Sequence, residues 1–239
     1  MSPQNVLCYN RPALTTDGSR REASVDTRSL IAGLLGILLA LDVHECFHAW
    51  VADRLGDPTA RYLGRISLNP LVHLDPLGTV MMLFAALAGR GIGWGKPVPV
   101  NPRNLRYGPR VGMGIVSFAG PFANLVTASL LALPLRLRID LPGSLDLLLL
   151  RVVFINIGLA VFNLIPLPPL DGYGVLQGIL AGFRGPMSYR LSQGLSELER
   201  QGPTLLIVLI IAGQFLGLDL LGRFMDPLVW FFARLALGV

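Results

Sequence analysis

The apolar residues of this chain come in runs too long for the strands and helices of a soluble core. Runs beginning near residues 30, 111, 147 and 203 approach or reach the roughly 20 residues that a helix needs to cross a bilayer, with short Arg-, Pro- and Gly-rich stretches between them. In lipid every backbone N–H and C=O must be satisfied within its own segment, so such runs fold as helices. Of the 239 residues, 52% are hydrophobic and 15% charged, against about 25% charged in an ordinary soluble domain. The mean hydropathy of +0.58 agrees. The expected fold class is an all-α polytopic membrane protein.

Full-length helices are expected at about 29–55, 111–133 (interrupted at Gly120-Pro121), 147–165 and 203–221. Gly56-Asp57-Pro58 supplies the stop signals for the first. Residues 77–89 are apolar but only 13 long, so they read as re-entrant or peripheral. Short strand-like segments are expected at 62–68 and around Val98-Pro99-Val100, between the first and second core helices. Residues 174–182 make a short helix at most, and 187–200 read as polar and amphipathic. The apolar stretch 227–239 is short enough to lie at the interface or pack back against the bundle.

The net charge of +5 is not a nucleic-acid footprint. The basic residues are scattered through connecting segments, and the few aromatics do not interleave with them, so no nucleic-acid partner is expected. The two cysteines, Cys8 in a polar tail and Cys46 in an apolar helix, make a disulfide framework improbable.

The first apolar run is not uniformly lipid-like. Its second half carries Asp42, His44, Glu45 and His48. Each ionisable group there costs about 2.5–3.5 kcal/mol to insert, so such groups mark function. Residues four apart share a helix face, so His44 and His48 can reach one metal ion. Glu45 projects beside it, where it can take a proton from water. Zinc suits this pattern, since it accepts nitrogen and oxygen ligands and keeps one position open for catalysis. A catalytic site takes three protein ligands, and the candidates for the third are His73, Asp75 and Asp171.

Topology bears on that choice. If 29–55, 111–133 and 147–165 are the only spans up to that point, the His pair and Asp171 emerge on the same membrane face. A spanning 77–89 segment would separate them. Basic residues such as Arg54, Arg61, Arg65, Arg103, Arg106 and Arg110 share the metal's side, which places that side toward the cytoplasm.

The segments HECFHAWVA, LGRISLNPLVHLDPLGT, GWGKPVPVNP, SFAGPFANL and FNLIPLPPLDG, in that order, resemble the site-2 protease family of intramembrane zinc metalloproteases. The resemblance covers about residues 30–175. It implies a three-helix catalytic core, one zinc ion held by His44, His48 and Asp171, Glu45 as the catalytic base, and cleavage of a substrate's transmembrane helix. The chain resembles the minimal subgroup, without a PDZ or nucleotide-sensing domain. On this reading residues 1–28 are a polar, disordered tail, 29–182 the metalloprotease core, and 183–239 a C-terminal membrane helix with a short apolar segment. The expected setting is a bacterial cytoplasmic membrane, and the expected partners are a transmembrane protein substrate and the lipid bilayer.

Asn124, mid-helix in the second span, reads either as a group that holds substrate or as an interhelical hydrogen-bonding residue. His73 reads as structural, as supporting the metal ligands, or as binding unwound substrate. A metal transporter and an inactive scaffold are the rival readings. A transporter has no need of Glu45 as a base and favours repeats; a scaffold has no need of a complete ligand set.

Overall fold

The computed structural model describes residues 27–88, 94–143, 145–183, 185–216 and 220–239. Most of the tail expected at 1–28, including Cys8, and the glycine-rich start of the loop after residue 88 lie outside the described residues. The helices are α1 (Thr27–Arg54), α2 (Thr59–Tyr62), α3 (Pro76–Ala88), α4 (Pro109–Arg136), α5 (Leu145–Asn163), α6 (Asp171–Gly182), α7 (Pro186–Leu216) and α8 (Leu220–Leu237). Tight 3-10 turns occur at Pro70–Val72 and Pro102–Asn104.

Among the described residues, three helices are long and apolar enough to cross a membrane: Ala32–Arg54 of α1, Pro109–Arg136 (α4) and Leu145–Asn163 (α5). The chain is an all-α, multi-pass membrane protein. Contacts fix the relative directions. Gly36 of α1 packs on Val152 and Ile155 of α5, so these two run parallel with their C-terminal ends toward the Asp171 loop. Ala40 lies beside Asn124 and His48 beside Val116, so α4 runs antiparallel to α1. α4 is central, packing against α1, α5, α6 and α8. Ala128, Ala132, Val153, Ile157, Val161, Ala233 and Ala236 form one buried cluster joining α4, α5 and α8. The C-terminal apolar stretch therefore packs back against the bundle.

Four expectations change. Residues 62–68 are not a strand: α2 ends at Tyr62, and Gly64 turns the chain with φ of +67°, a conformation that favours glycine. Arg65 then points inward and its guanidinium binds the carbonyls of Val72, Lys96 and Pro97. The 97–101 stretch is not a strand either. Its polar groups are taken by side chains: Pro97 O by Arg65, Val98 N–H by Glu45 and Asn101 N–H by Asp57. Among the described residues the extended pairing is an isolated bridge between Leu74 and Gly95.

Third, α4 is continuous through Gly120-Pro121. A proline inside a membrane helix is tolerated where neighbouring helices surround it, and Pro121 is fully buried. Fourth, the polar stretch 187–200 belongs to the same helix as the apolar run after Pro203. Residues 217–219, near the end of the span expected at 203–221, lie outside the described residues. The short apolar segment is a helix, α3, whose 13 residues extend about 20 Å, less than a hydrocarbon core of about 30 Å.

Candidate metal centre

A spacing of four residues on α1 puts His44 and His48 on its buried face, both under 10% exposed. Their rings meet edge to face, with centroids 4.6 Å apart. Asp171 arrives from far away in sequence. The loop 164–170, with its cis Pro168-Pro169 bond, folds under the C-terminal end of α5 and presents Asp171 as the first residue of α6. Asp171 Oδ2 lies 2.9 Å from His44 Nε2 and 3.3 Å from His48 Nε2.

The far side of each ring decides what these atoms can do. His48 Nδ1 faces the Val116 carbonyl at 2.7 Å, which can only accept, so Nδ1 carries the hydrogen. His44 Nδ1 faces Asn124 Oδ1 at 2.6 Å. The Asn124 amide nitrogen donates to Ala40 O at 2.8 Å and to Asn156 Oδ1 at 3.0 Å. Both amide hydrogens are thus engaged, Oδ1 is the end turned to His44, and His44 Nδ1 carries its hydrogen too. In the neutral rings both Nε2 atoms are lone pairs. Burial pushes the Asp171 carboxyl up, but positive charge on the facing His48 and hydrogen bonds from His44 and His48 pull it further down, to about 2, so an anion faces the two rings and is balanced there by a proton or by a metal ion.

Three electron-pair donors therefore converge, their ligand atoms all within 4.8 Å of one another. Such groups repel unless a cation lies among them. Two nitrogens and one carboxylate oxygen fit zinc, with the fourth position left open. Gly120 provides the room. A Cβ there would stand 2.8 Å from His44 Cε1 and 2.7 Å from His48 Cε1.

Glu45, between the two histidines in sequence, accepts a hydrogen bond from Val98 N–H at 3.2 Å. The 96–98 backbone is itself fixed by Arg65, and Lys96 N–H donates to His73 O at 2.7 Å. A cavity of about 540 Å³ opens beside Asp171, between Ser117 and Arg110 of α4 and Tyr173 and Gln177 of α6.

The other sequence candidates lie elsewhere. His73 is fully buried, with Nε2 2.9 Å from Ser67 O and 3.6 Å from Asp42 Oδ1; it is not part of the His44–His48–Asp171 group. Asp75 caps α3, accepting from Gly78 N–H at 2.8 Å. Asn124 is fully buried and its amide is spent on α1 and α5. Cys46 is a free thiol. Sequence reasoning missed Asn156, although an amide within the apolar FINIG was a visible signal. It also missed Gly120, Arg65 and Val98, whose roles arise only from contacts.

A polytopic helical membrane protein with two buried histidines and a partly buried carboxylate able to hold a metal is thus defined on structure alone. Over 170 residues the chain is 36% identical to "Putative zinc metalloprotease YwhC" of Bacillus subtilis, covering 67% of this chain and 75% of that one. Over 202 residues it is 32% identical to "Putative zinc metalloprotease Rip2" of Mycolicibacterium smegmatis and of Mycobacterium tuberculosis, covering 83% of this chain and 72% of theirs. No family model and no solved structure matches. The chain belongs to the site-2 protease family of zinc metalloproteases.

Proposed function

We propose that this protein is an intramembrane zinc endopeptidase that cuts peptide bonds within or near the transmembrane segments of other membrane proteins. The observation that carries this reading is the convergence of His44 Nε2, His48 Nε2 and Asp171 Oδ2 inside a bundle of membrane-crossing helices. On this reading those three residues hold one zinc ion and Glu45 is the base. Residues 29–182 form the catalytic core and 183–239 a C-terminal membrane helix with a short apolar segment. The basic residues gathered near the metal-side ends of α1 and α4 orient the site toward the cytoplasm of a bacterial cell.

Zinc, when bound, acidifies a water from a pKa of about 15.7 to about 7 and draws charge from a carbonyl oxygen. The chain's own residues do the rest. Val116 O and Asn124 Oδ1 hold the Nδ1 hydrogens of His48 and His44, keeping both Nε2 lone pairs aimed at one point. Glu45 takes the attacking water's proton and passes it to the leaving amine, its carboxylate steadied by Val98 N–H. A helical substrate hides its carbonyls, so it must unwind before attack. The extended residues 97–101, next to Glu45, are the surface against which an unwound segment lies; 62–68, being turn and helix, are not.

The test compares wild type with Glu45→Gln in detergent, measuring zinc content and cleavage of a synthetic transmembrane substrate. The expected result is retained zinc with cleavage reduced by roughly 10²–10⁴-fold. Undiminished cleavage by Glu45→Gln would overturn the reading.

A further inference from the structure

We propose that Asn156, in the middle of α5, is a positioning residue for the metal centre: acting through Asn124, it sets which nitrogen of His44 carries the proton. The inference rests on the reading of His44 as a metal ligand and deepens it.

Asn156 is fully buried and touches neither His44 nor any other proposed ligand by hydrogen bond. Its amide nitrogen donates to Val152 O at 2.9 Å, one turn back on its own helix. That bond fixes the amide's orientation, so the group it turns toward α4 is the oxygen. Asn156 Oδ1 then accepts from Asn124 Nδ2 at 3.0 Å.

An amide can occupy nearly the same space turned by 180°, with its oxygen and nitrogen exchanged. Asn124 has two acceptors on its nitrogen side, Ala40 O on α1 and Asn156 Oδ1 on α5, and one ring nitrogen on the other. With both acceptors present, the orientation that places NH2 toward them and Oδ1 toward His44 satisfies every hydrogen. Without Asn156, one hydrogen of Asn124 is left unpaired in an apolar interior and Ala40 O alone holds the orientation; the turned amide, which donates to His44 Nδ1 at the cost of setting its oxygen against Ala40 O, is then less disfavoured. The imidazole then accepts at Nδ1 and carries its proton at Nε2, the atom a metal needs. An interhelical bond that served packing alone could run in either direction. Here Val152 O leaves only one direction open.

Losses of hydrogen-bonding partners behind metal-bound histidines weaken metal binding by roughly 10–100-fold, and the same range is expected for Asn156→Leu. The full-length chain is purified in detergent with 15N-labelled histidine; it has three His residues, so the ring nitrogens are assignable using His73→Gln and His44→Gln controls. Zinc affinity is read by competition with a chelator, the cobalt-substituted form by its visible spectrum, and the tautomer of His44 from its nitrogen shifts in the metal-free state.

Wild type is expected to show His44 protonated at Nδ1. Asn156→Leu is expected to show a mixture, a zinc affinity lowered at least tenfold and an altered cobalt spectrum. Asn156→Asp, in its protonated form donating to Val152 O, keeps an acceptor facing Asn124 and should restore the Nδ1–H tautomer. Should Asn156→Leu not fold, Asn156→Ala removes the same oxygen with less crowding. A variant without the oxygen that keeps wild-type tautomer, zinc affinity and cobalt spectrum overturns the proposal. If His44→Gln itself leaves zinc affinity unchanged, the ligand reading has failed instead, and the two failures are thereby told apart.

Discussion

Gly120 of α4 and His48 of α1 are packed so that no side chain fits between them; a Cβ would come within 2.7 Å of His48 Cε1 and, on the other side, 2.8 Å of His44 Cε1. Both rings are pinned from behind by Val116 O and Asn124 Oδ1, so neither can yield without giving up a hydrogen bond. Gly120→Ala is expected to lower zinc affinity and cleavage by at least about tenfold while helix content is unchanged. Metal analysis beside circular dichroism checks this, and full zinc content with wild-type cleavage would count against it.

Arg65 holds three carbonyls, Val72, Lys96 and Pro97, and so fixes the backbone whose next N–H steadies Glu45. Lysine carries the charge but not the fork. Arg65→Lys should keep its zinc and lose about tenfold in kcat, with a smaller change in KM. Steady-state kinetics on a transmembrane substrate measures the split. A loss of zinc in this variant would show that Arg65 acts elsewhere.

Asp57 is fully buried at the end of α1. Burial pushes its carboxyl up, but donation from the Thr59 hydroxyl, Asn104, Asn101 N–H and Thr59 N–H pulls it further down, to below its ordinary range. A carboxyl lower in the folded than in the unfolded state stabilises fully above the unfolded value of about 3.9, and that stability is lost as pH falls through the folded value. Wild type should therefore lose stability below about pH 4. Asp57→Ala should be less stable by about 2 kcal/mol at pH 7 and lack this acid-sensitive component. Urea unfolding in micelles between pH 7 and 3 provides the comparison.

Gly114 of α4 and Gly178 of α6 touch backbone to backbone; a Cβ on Gly178 would stand 2.8 Å from Gly114 Cα. A rigid backbone cannot step aside as a flexible side chain can. Gly178→Val should push α6 from α4 and carry Asp171 from the histidines, reducing zinc content, whereas substitution at Gly182, with open space around it, should not. Zinc stoichiometry of the two variants decides.

The parts of the fold written in runs were legible. The three spans follow from apolar length, the HExxH face from a helical spacing of four, and the α3 segment from being too short to cross. Spacing and topology left both Asp75 and Asp171 open and only the family resemblance chose Asp171, because the difference lies in what each carboxylate meets: Gly78 N–H for one, two imidazoles for the other. The strands expected at 62–68 and 97–101 failed because local pattern carries no information about Arg65 and Asp57. Those two side chains claim backbone groups that a sheet would otherwise use. Asp57 itself read only as part of a helix stop, and Gly120 only as a break in a helix that proves unbroken.

His44 and Asp171 are 127 residues apart, and the carboxylate follows α5, the third of the membrane-crossing helices among the described residues. During synthesis, a chain with two crossings inserted carries the histidines and Glu45 but lacks the anion that completes the group. The ligand group is therefore complete only once α6 has begun, and a chain halted before that point holds two donors without the third.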